Sequence, residues 1–218
     1  MLTNLNFDPI TIVAVLISLS LAPFAALLVS SFVKIVIVLT LVRNALGVQQ
    51  VPPNMVLNGL AIMLSLYIMY PVISDTAKVV MDTEFKASTI EEALAIVDKV
   101  KVPLQGFLSK HASTINRSFF IRSAQRLWPK ELGSKIGPDD FIVLLPAFTV
   151  TEITSAFQIG FLLYLPFIAV DLIVSNILLA LGMMMVSPMT ISLPFKLMLF
   201  VLVNGWGKMV HGLVLTYR

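Results

Sequence analysis

The sequence of 218 residues contains no cysteine, and only 12% of its residues are charged. The absence of cysteine excludes disulfides, cysteine nucleophiles and thiolate metal ligands. Soluble domains usually contain about 25% charged residues, whereas this sequence is 58% hydrophobic. The composition therefore disfavours a water-soluble globular protein and is typical of a membrane protein.

Motifs of nucleic-acid binding and catalysis are also missing. The net charge is only +3, and no dense basic run with interleaved aromatic residues supports a nucleic-acid partner. The sequence shows no nucleophile and base pair, phosphate-binding loop or carboxylate dyad. His111 and His211 are isolated, without a second ligand at metal-site spacing, so we expect neither a cofactor nor a metal. We predict that the protein is not an enzyme.

The charged residues that are present cluster in one part of the chain. Of 27 Asp, Glu, Lys and Arg residues, 19 lie between Ser74 and Asp140. We therefore divide the chain into a first hydrophobic helical hairpin (1–73), a polar helical insert (74–140) and a second hydrophobic helical hairpin (141–218). The predicted fold class is all-α, with membrane-associated, bent helical hairpins around a polar helical insert.

Several residues indicate that the hydrophobic helices are bent. The apolar run Ile10–Val42 is longer than the roughly 20 residues that one span needs. It contains Pro23 and Lys34, which do not fit a straight helix that faces lipid, so we expect a kinked or broken helix. In the second hairpin we predict two helices, Phe157–Met185 with a disturbance near Pro166, and Leu193–Tyr217.

Two basic residues beside the short turns predict the orientation in the membrane. Arg43 lies in the turn of the first hairpin, and Lys196 lies beside the turn of the second. Because cytoplasmic loops carry an excess of Lys and Arg, both hairpin tips are placed on the cytoplasmic side. The polar insert and both termini are then expected outside, at the periplasmic level.

Asp171 needs a partner, because it lies near the middle of the predicted helix Phe157–Met185. A carboxylate at this depth requires an opposite charge or a wet cavity. We rank Lys34 first as its intramembrane partner, Lys196 second and Arg43 third. A buried pair would fix the register of helices more than it would add stability. The alternatives are a protonated Asp171 in a protein interface and a proton relay.

Glu152 is a second carboxylate in the C-terminal apolar block. It lies in PAFTVTEITSAF, a stretch that contains several Thr and Ser side chains. We predict a polar contact between helices in which neighbouring hydroxyl groups satisfy the carboxylate.

Three consecutive methionines, Met183, Met184 and Met185, lie between Gly182 and Pro188. Consecutive helical residues point about 100° apart, so one packed helix face could not use all three side chains. The flanking Gly and Pro place the triplet partly in a loop, and a loop at membrane depth must be buried in protein or line a cavity. Around an axis, such loops would form a deformable thioether ring that blocks ions. The alternative is that these methionines fill gaps at a helix end.

Residues of the second hairpin closely resemble the FliP/SctR family. The matching segments are PAFTVTEITSAFQIGF from Pro146, DLIVSNILLALGMMMVSP from Asp171 and SLPFKLMLFVLVNGW from Ser192. Members of this family are export-gate components of flagellar and virulence-associated type III secretion systems, and this chain resembles the injectisome branch, SctR. The resemblance implies a bent, all-helical subunit of a pentameric, pseudo-helical portal, in which Met183, Met184 and Met185 correspond to a gasket around the pore.

The resemblance also implies a function, a location and partners. We expect a multi-pass protein of the bacterial inner membrane that conducts unfolded secreted polypeptides through a pore. Its partners would be further copies of itself, SctS-like and SctT-like gate subunits, further export apparatus proteins, and membrane lipid, with no nucleic acid. The alternative, from another class, is an ion- or proton-coupled transporter that uses Asp171 and Lys34 as its coupling pair.

Overall fold

A computed structural model describes residues 9–82 and 90–218 of the chain. Within these residues the structure contains only helices, as the predicted all-α class requires. The nine helices described are α1 Pro9–Leu28, α2 Phe32–Ala45, α3 Asn54–Asp82, α4 Ile90–His111, α5 Thr114–Leu127, α6 Lys130–Gly133, α7 Phe141–Ala180, α8 Pro188–Leu202 and α9 Gly205–Leu215.

The first apolar run is broken between α1 and α2, as the sequence indicates, but not at its proline. Pro23 lies inside α1, and the break is at residues 29–31. There the backbone N–H of Phe32 donates to Ser30 Oγ at 3.4 Å, and Ser31 Oγ donates to Ser65 Oγ of α3 at 3.2 Å. The serine hydroxyls therefore satisfy a backbone donor that helix α2 leaves free at its start and connect the break to α3.

Helix α7 is the longest element, with 40 residues, and it continues through both Pro146 and Pro166. The disturbance predicted near Pro166 therefore does not end the helix. At 1.5 Å per residue, α7 is about 60 Å long, roughly twice the hydrocarbon thickness of a bilayer. It begins at Phe141 rather than at Phe157 and ends at Ala180, before the methionines.

The predicted helix Leu193–Tyr217 is wrong in its bounds, because the structure has two helices, α8 and α9, bent by 60°. Asn204 lies at the bend with a φ of 52°, a left-handed conformation that Asn tolerates better than most residues. A Cβ atom at Gly205 would lie 2.3 Å from the ring of Phe200. The asparagine and the glycine together allow the 60° bend between α8 and α9.

Helix α2 lies at the centre of the bundle and packs against α7 and α3. Its fully buried side chains include Ile35, Val38 and Leu39. On α7, a Cβ atom at Gly160 would lie 2.3 Å from Leu41 Cδ1, so glycine allows these two helices to approach closely. The insert helices α4 and α5 both pack on α7, and α4 also packs on α3.

Two of the described helices are long and apolar enough to cross a membrane, namely α3 and α7. The bent pair α8 and α9 would add a third span if it crosses as one unit. Helices of this kind satisfy their own backbone hydrogen bonds, which a bilayer requires. Two or three segments of the described chain are therefore able to span a membrane by their length and composition.

Candidate functional site: a methionine loop and two buried ion pairs

Met183, Met184 and Met185 lie in the loop between α7 and α8, as the flanking Gly and Pro predict. Their exposed fractions are 43%, 82% and 102%. Neighbouring large apolar side chains that are this exposed in a single subunit mark a surface for a partner, a ligand, another copy or the membrane. The loop is therefore the first candidate functional feature.

The local sequence explains why the helix stops before the methionines. Gly182 has a φ of 70°, in the left-handed region that glycine adopts at little cost. The N–H of Gly182 donates to the carbonyl of Leu179 at 3.0 Å, and the N–H of Met183 donates to that of Leu178 at 2.9 Å. This pair of hydrogen bonds is the Schellman motif that closes helix C-termini. Pro188 then opens α8 at its first position, where a missing N–H does no harm.

An ion pair joins the two helices that carry the loop. Lys196 Nζ of α8 lies 2.6 Å from Asp171 Oδ2 of α7, and Ser192 Oγ donates to Asp171 Oδ1 at 2.6 Å. Ser192 and Lys196 are four residues apart, so they lie on one face of α8. Lys196 Nζ also donates to the carbonyl of Ala45 at 3.3 Å, at the C-terminal end of α2. A cation there is favourable because the last carbonyls of a helix carry partial negative charge.

The two partners of this pair differ in their exposure. The side chain of Lys196 is 4% exposed and that of Asp171 is 39% exposed. Asp171 can therefore retain contact with water or a neighbouring molecule, whereas Lys196 depends on its protein partners. A buried ammonium without a partner is costly, so the pair stabilises mainly by keeping Lys196 satisfied.

A second, fully buried ion pair joins α2 to α7. Lys34 Nζ lies 2.8 Å from Glu152 Oε1, and the two side chains are 6% and 2% exposed. The hydroxyl of Tyr217 donates to Glu152 Oε2. Lys34 Nζ also lies 4.3 Å from the centre of the Tyr217 ring, at cation–π distance. The segment after α9 is thereby connected to the two helices of the core.

The structure corrects the ranking of partners for Asp171. Lys196, ranked second, makes the contact, and Lys34, ranked first, pairs with Glu152 instead. The reason is distance along α2, because Lys34 lies 11 residues before Ala45, which is about 16 Å of helix. Arg43, ranked third, donates to the carbonyl of Pro52 at 3.1 Å, in the turn before α3, and to Oδ1 of Asn54, the first residue of α3, at 2.6 Å.

The prediction for Glu152 also needs a correction. It does lie between helices, but the Thr hydroxyls around it bond to their own helix, since Thr149, Thr151 and Thr154 each donate to a carbonyl four residues earlier. The hydroxyl that reaches Glu152 is that of Tyr217, which is 65 residues away in the sequence. A tyrosine so distant has no local pattern that would have indicated this role.

His111 is the last residue of α4 and lies beside Tyr217, which contacts this second pair. Its ring is 4.7 Å from that of Phe107 and 5.2 Å from that of Tyr217. The pKa of His111 is lowered from 6.5 to about 4, first by burial and then by the positive charges of the nearby Lys110 and Lys34. His211 is exposed on α9. Among the residues described, no three His, Cys, Asp or Glu side chains come together as a metal site.

The lowered pKa of His111 predicts a pH dependence. Since the unfolded chain binds a proton below about pH 6.5 and the folded chain only below about pH 4, stability should fall as the pH drops between these values. We expect melting temperatures of the His111→Phe variant to vary less with pH over this range than those of the wild type. His211→Phe is the matched control and should keep the wild-type slope. An unchanged slope in His111→Phe would contradict the assignment.

The fold and the site define a class: a helical membrane protein whose buried charges are paired between helices and whose exposed loop is rich in methionine. Residues 15–213 match the FliP family, so the chain belongs to that family. This membership confirms the resemblance found in the sequence.

Relatives of this chain align over nearly its whole length. The "Yop proteins translocation protein R" of Yersinia pestis is 52% identical over 96% of this chain and 97% of its own. The "Hypersensitivity response secretion protein HrcR" of Ralstonia nicotianae is 49% identical over 99% of each chain. The "Virulence protein YscR" of Salmonella typhimurium is 44% identical over 98% of this chain and 99% of its own. These relatives place the chain with SctR, the type III secretion branch of the family.

Proposed function

We propose that this protein is a pore-forming subunit of the type III secretion export gate in the bacterial inner membrane, and that the methionine loop is its gasket. The observation that carries the proposal is the exposure of three consecutive methionines on a loop whose two helices are joined by an ion pair with a buried lysine. The export role is supported by relatives that are named as translocation and secretion proteins.

The chemistry of methionine suits a seal that must deform. A thioether side chain has three rotatable bonds and a polarizable sulfur, so it fills irregular gaps and contacts side chains of different sizes. A ring of such side chains from several copies would exclude water and ions when no substrate is present. β-Branched residues are stiff at χ1 and would adapt less well. The ring would thus fit tightly around an extended polypeptide during transport. It would seal the pore again once the polypeptide has passed.

The contacts that hold the two ends of the loop matter as much as the methionine side chains themselves. Ser192 and Lys196 hold α8 to Asp171 of α7 through two contacts of 2.6 Å each. The Schellman motif fixes the direction in which the chain leaves α7. The flexible part is therefore confined to a few side chains, while the backbone that carries them is held in place.

The exposed apolar surface supports assembly with other subunits. A groove between α7 and α8, with a cavity volume of about 390 Å³, is lined almost entirely by apolar side chains, including Ile173, Ile177 and Phe195. We infer that further copies of this chain, together with SctS-like and SctT-like subunits and other apparatus proteins, cover such surfaces. Unfolded secreted polypeptides would pass along the axis, with membrane lipid around the complex and part of it at the periplasmic level.

The gasket is tested by replacing Met183, Met184 and Met185 together with alanine. Because this removes the side chains that fill the opening, we expect resting ion conductance of cells or reconstituted complexes to rise by roughly tenfold or more. Conductance is measured without substrate, and assembly is checked by native mass. Unchanged leakage and unchanged secretion in an assembled complex would overturn the gasket.

A matched control is available on helix α3. Met55, Met63 and Met81 are 84%, 63% and 82% exposed, so they resemble the loop methionines in chemistry and exposure. Their triple replacement by alanine removes the same number of atoms from helix α3 and leaves the loop sequence unchanged. We expect wild-type conductance from this control, and equal leakage in both variants would count against a role specific to the loop.

A further inference from the structure

Four methionines lie together around the loop between α7 and α8. Of the 11 methionines in the sequence, four fall within residues 183–189. Besides the three of the loop, Met189 in the first turn of α8 is 59% exposed. In contrast, Met69 and Met209 belong to the interior, at 7% and 6% exposure. We call the four residues at the loop the methionine cluster: Met183, Met184, Met185 and Met189.

The polarity of this part of the surface depends largely on the four sulfur atoms. No charged residue lies between Asp171 and Lys196 in the sequence. Within residues 181–191 the only polar side chains are those of Ser187 and Thr190. A chemical change that makes the thioethers polar would therefore change the character of the whole loop.

The backbone keeps the side chains of the loop outside the subunit. The N–H of Met184 donates to the carbonyl of Gly182 at 3.0 Å, and the N–H of Val186 donates to that of Met183 at 3.4 Å. These turns follow directly on the Schellman motif, and they leave Met184 82% and Met185 102% exposed. In a ring of copies around a pore, neighbouring side chains would cover part of this surface, but a closed seal still meets water at both of its ends. Dissolved oxidants can therefore reach the cluster.

We propose that the methionine cluster is a site of reversible oxidation by peroxides, and that its oxidation makes the closed pore leak. The site rests on the proposed function, because the same loop would seal the pore. Methionine sulfoxide is a polar group that disrupts methionine-rich contacts, and dedicated reductases convert it back to methionine. Met184 and Met185 are the main targets, since their side chains are the most exposed of the cluster.

The chemistry of the step is the transfer of one oxygen atom. A lone pair of the methionine sulfur forms an S–O bond to one oxygen of hydrogen peroxide while the O–O bond breaks. The proton on the transferred oxygen passes to the departing hydroxide, so the products are a neutral sulfoxide and water. Sulfur is oxidised and peroxide is reduced. In the reverse step a dithiol reductant takes the oxygen away as water and becomes a disulfide.

A sulfoxide in the seal would need a hydrogen-bond partner. Its oxygen is a strong acceptor, and burial of an unpaired polar group is costly. The side chains of residues 181–191 offer only the hydroxyls of Ser187 and Thr190 as donors. Water is then the partner that remains, and a constriction that holds water no longer blocks ions by dewetting. Oxidation of the cluster would thus open the closed pore to ions without moving the backbone.

The test oxidises the assembled complex of the full-length chain and its gate partners in liposomes. After treatment with hydrogen peroxide, mass spectrometry of the peptide that contains residues 183–189 counts the oxygen atoms gained, and ion conductance is measured without substrate. We expect conductance to rise by at least about threefold as the peptide gains oxygen. Treatment with methionine sulfoxide reductases for both epimers, together with a dithiol, should return conductance to its starting level.

Replacement of the whole cluster by leucine removes the oxidisable sulfur atoms at nearly constant volume. We expect this variant to keep a low conductance both before and after peroxide. The matched control replaces the four exposed methionines elsewhere in the described chain by leucine, and it should still respond to peroxide as the wild type does. These residues are Met55, Met63, Met81 and Met198, which are 84%, 63%, 82% and 56% exposed. Native mass before and after peroxide shows whether each complex stays assembled.

Three outcomes would overturn the oxidation site: an assembled wild-type complex whose 183–189 peptide gains no oxygen, one that gains oxygen without leaking, and a leucine variant of the cluster that leaks after peroxide as much as the wild type. Alanine replacement of Met183, Met184 and Met185 tests the gasket in the absence of oxidant. A leaky alanine variant beside a wild type that is oxidised but stays tight would retain the gasket and overturn only the oxidation site. A tight alanine variant would overturn the gasket whatever the response to peroxide.

Discussion

Replacement of Lys34 by methionine should destabilise the protein by about 3–5 kcal/mol, because it leaves the Glu152 carboxylate buried without a counter-charge. The two side chains are 6% and 2% exposed, so water cannot take the place of the ammonium. The free energy of unfolding of a native domain is about 5–15 kcal/mol in total, so this loss would be a large part of it. We expect a large loss of folded protein, measured as the fraction that stays monodisperse on heating in detergent.

Replacing Glu152 as well as Lys34 separates the cost of leaving one buried charge without a partner from the stability that the ion pair itself contributes. With Lys34→Met and Glu152→Met together, no charge remains buried, and well-packed apolar replacements of a buried pair are often neutral or stabilising. Tyr217 would lose its acceptor, so Tyr217→Phe completes the apolar set. We expect the triple variant to recover most of the loss that Lys34→Met alone causes.

An exposed lysine on α9 provides the control for this series. Lys208→Met removes a charge from the surface, where substitutions usually change stability by less than about 0.5 kcal/mol. If Lys34→Met were as mild as Lys208→Met, the contact between Lys34 and Glu152 could not be the buried pair described here. If the triple variant were no better than the single one, packing rather than charge would explain the loss.

The sequence was sufficient to predict which residues needed partners, but not which partners they have. A carboxylate at Asp171 in an apolar helix demands a counter-charge wherever the helix lies. The choice between Lys34 and Lys196 depends on which end of α2 approaches α7 and α8, and that is decided by packing over many residues. Ser192 and Lys196 lie four residues apart on one helix face, a local signal for Lys196 that the ranking did not use. Tyr217 had no such signal, because it reaches Glu152 only through the 60° bend between α8 and α9.

The positions of the helix ends also depend partly on local sequence signals and partly on tertiary packing. Gly182 and Pro188 are a local stop and start signal, but the predicted helix ends at Met185 and the next begins at Leu193, whereas α7 ends at Ala180 and α8 begins at Pro188. Pro23 and Pro166 were expected to disturb their helices, yet α1 and α7 continue through both positions. Proline removes one backbone hydrogen bond, and the many remaining bonds and side-chain contacts of a long helix can maintain it.

Asp171→Asn distinguishes the pore subunit from the ion- or proton-coupled transporter, and its effect should exceed that of Lys196→Met. Asparagine can still accept from Ser192 but leaves Lys196 without a charged partner, and Lys196 is only 4% exposed. We expect a loss of about 2–3 kcal/mol for Asp171→Asn, below the range for a fully buried pair because Asp171 is partly exposed. For Lys196→Met we expect about 1 kcal/mol, because water can solvate the 39% exposed carboxylate that remains.

The pore-subunit and transporter hypotheses then predict different defects for Asp171→Asn, namely weaker assembly or lost transport. If Asp171 supports the loop, Asp171→Asn weakens assembly of the complex, measured by native mass, and secretion falls in proportion to the complex that is lost. If Asp171 couples ion movement to transport, the complexes stay intact and transport stops. The structure provides a reason for expecting the first outcome, since the acidic group of the proposed coupling pair contacts Lys196 and Ser192, while Lys34 is bound to Glu152. We infer that the buried Lys196 depends on Asp171 more than Asp171 depends on Lys196. If Lys196→Met weakened assembly more than Asp171→Asn does, this inference would be wrong.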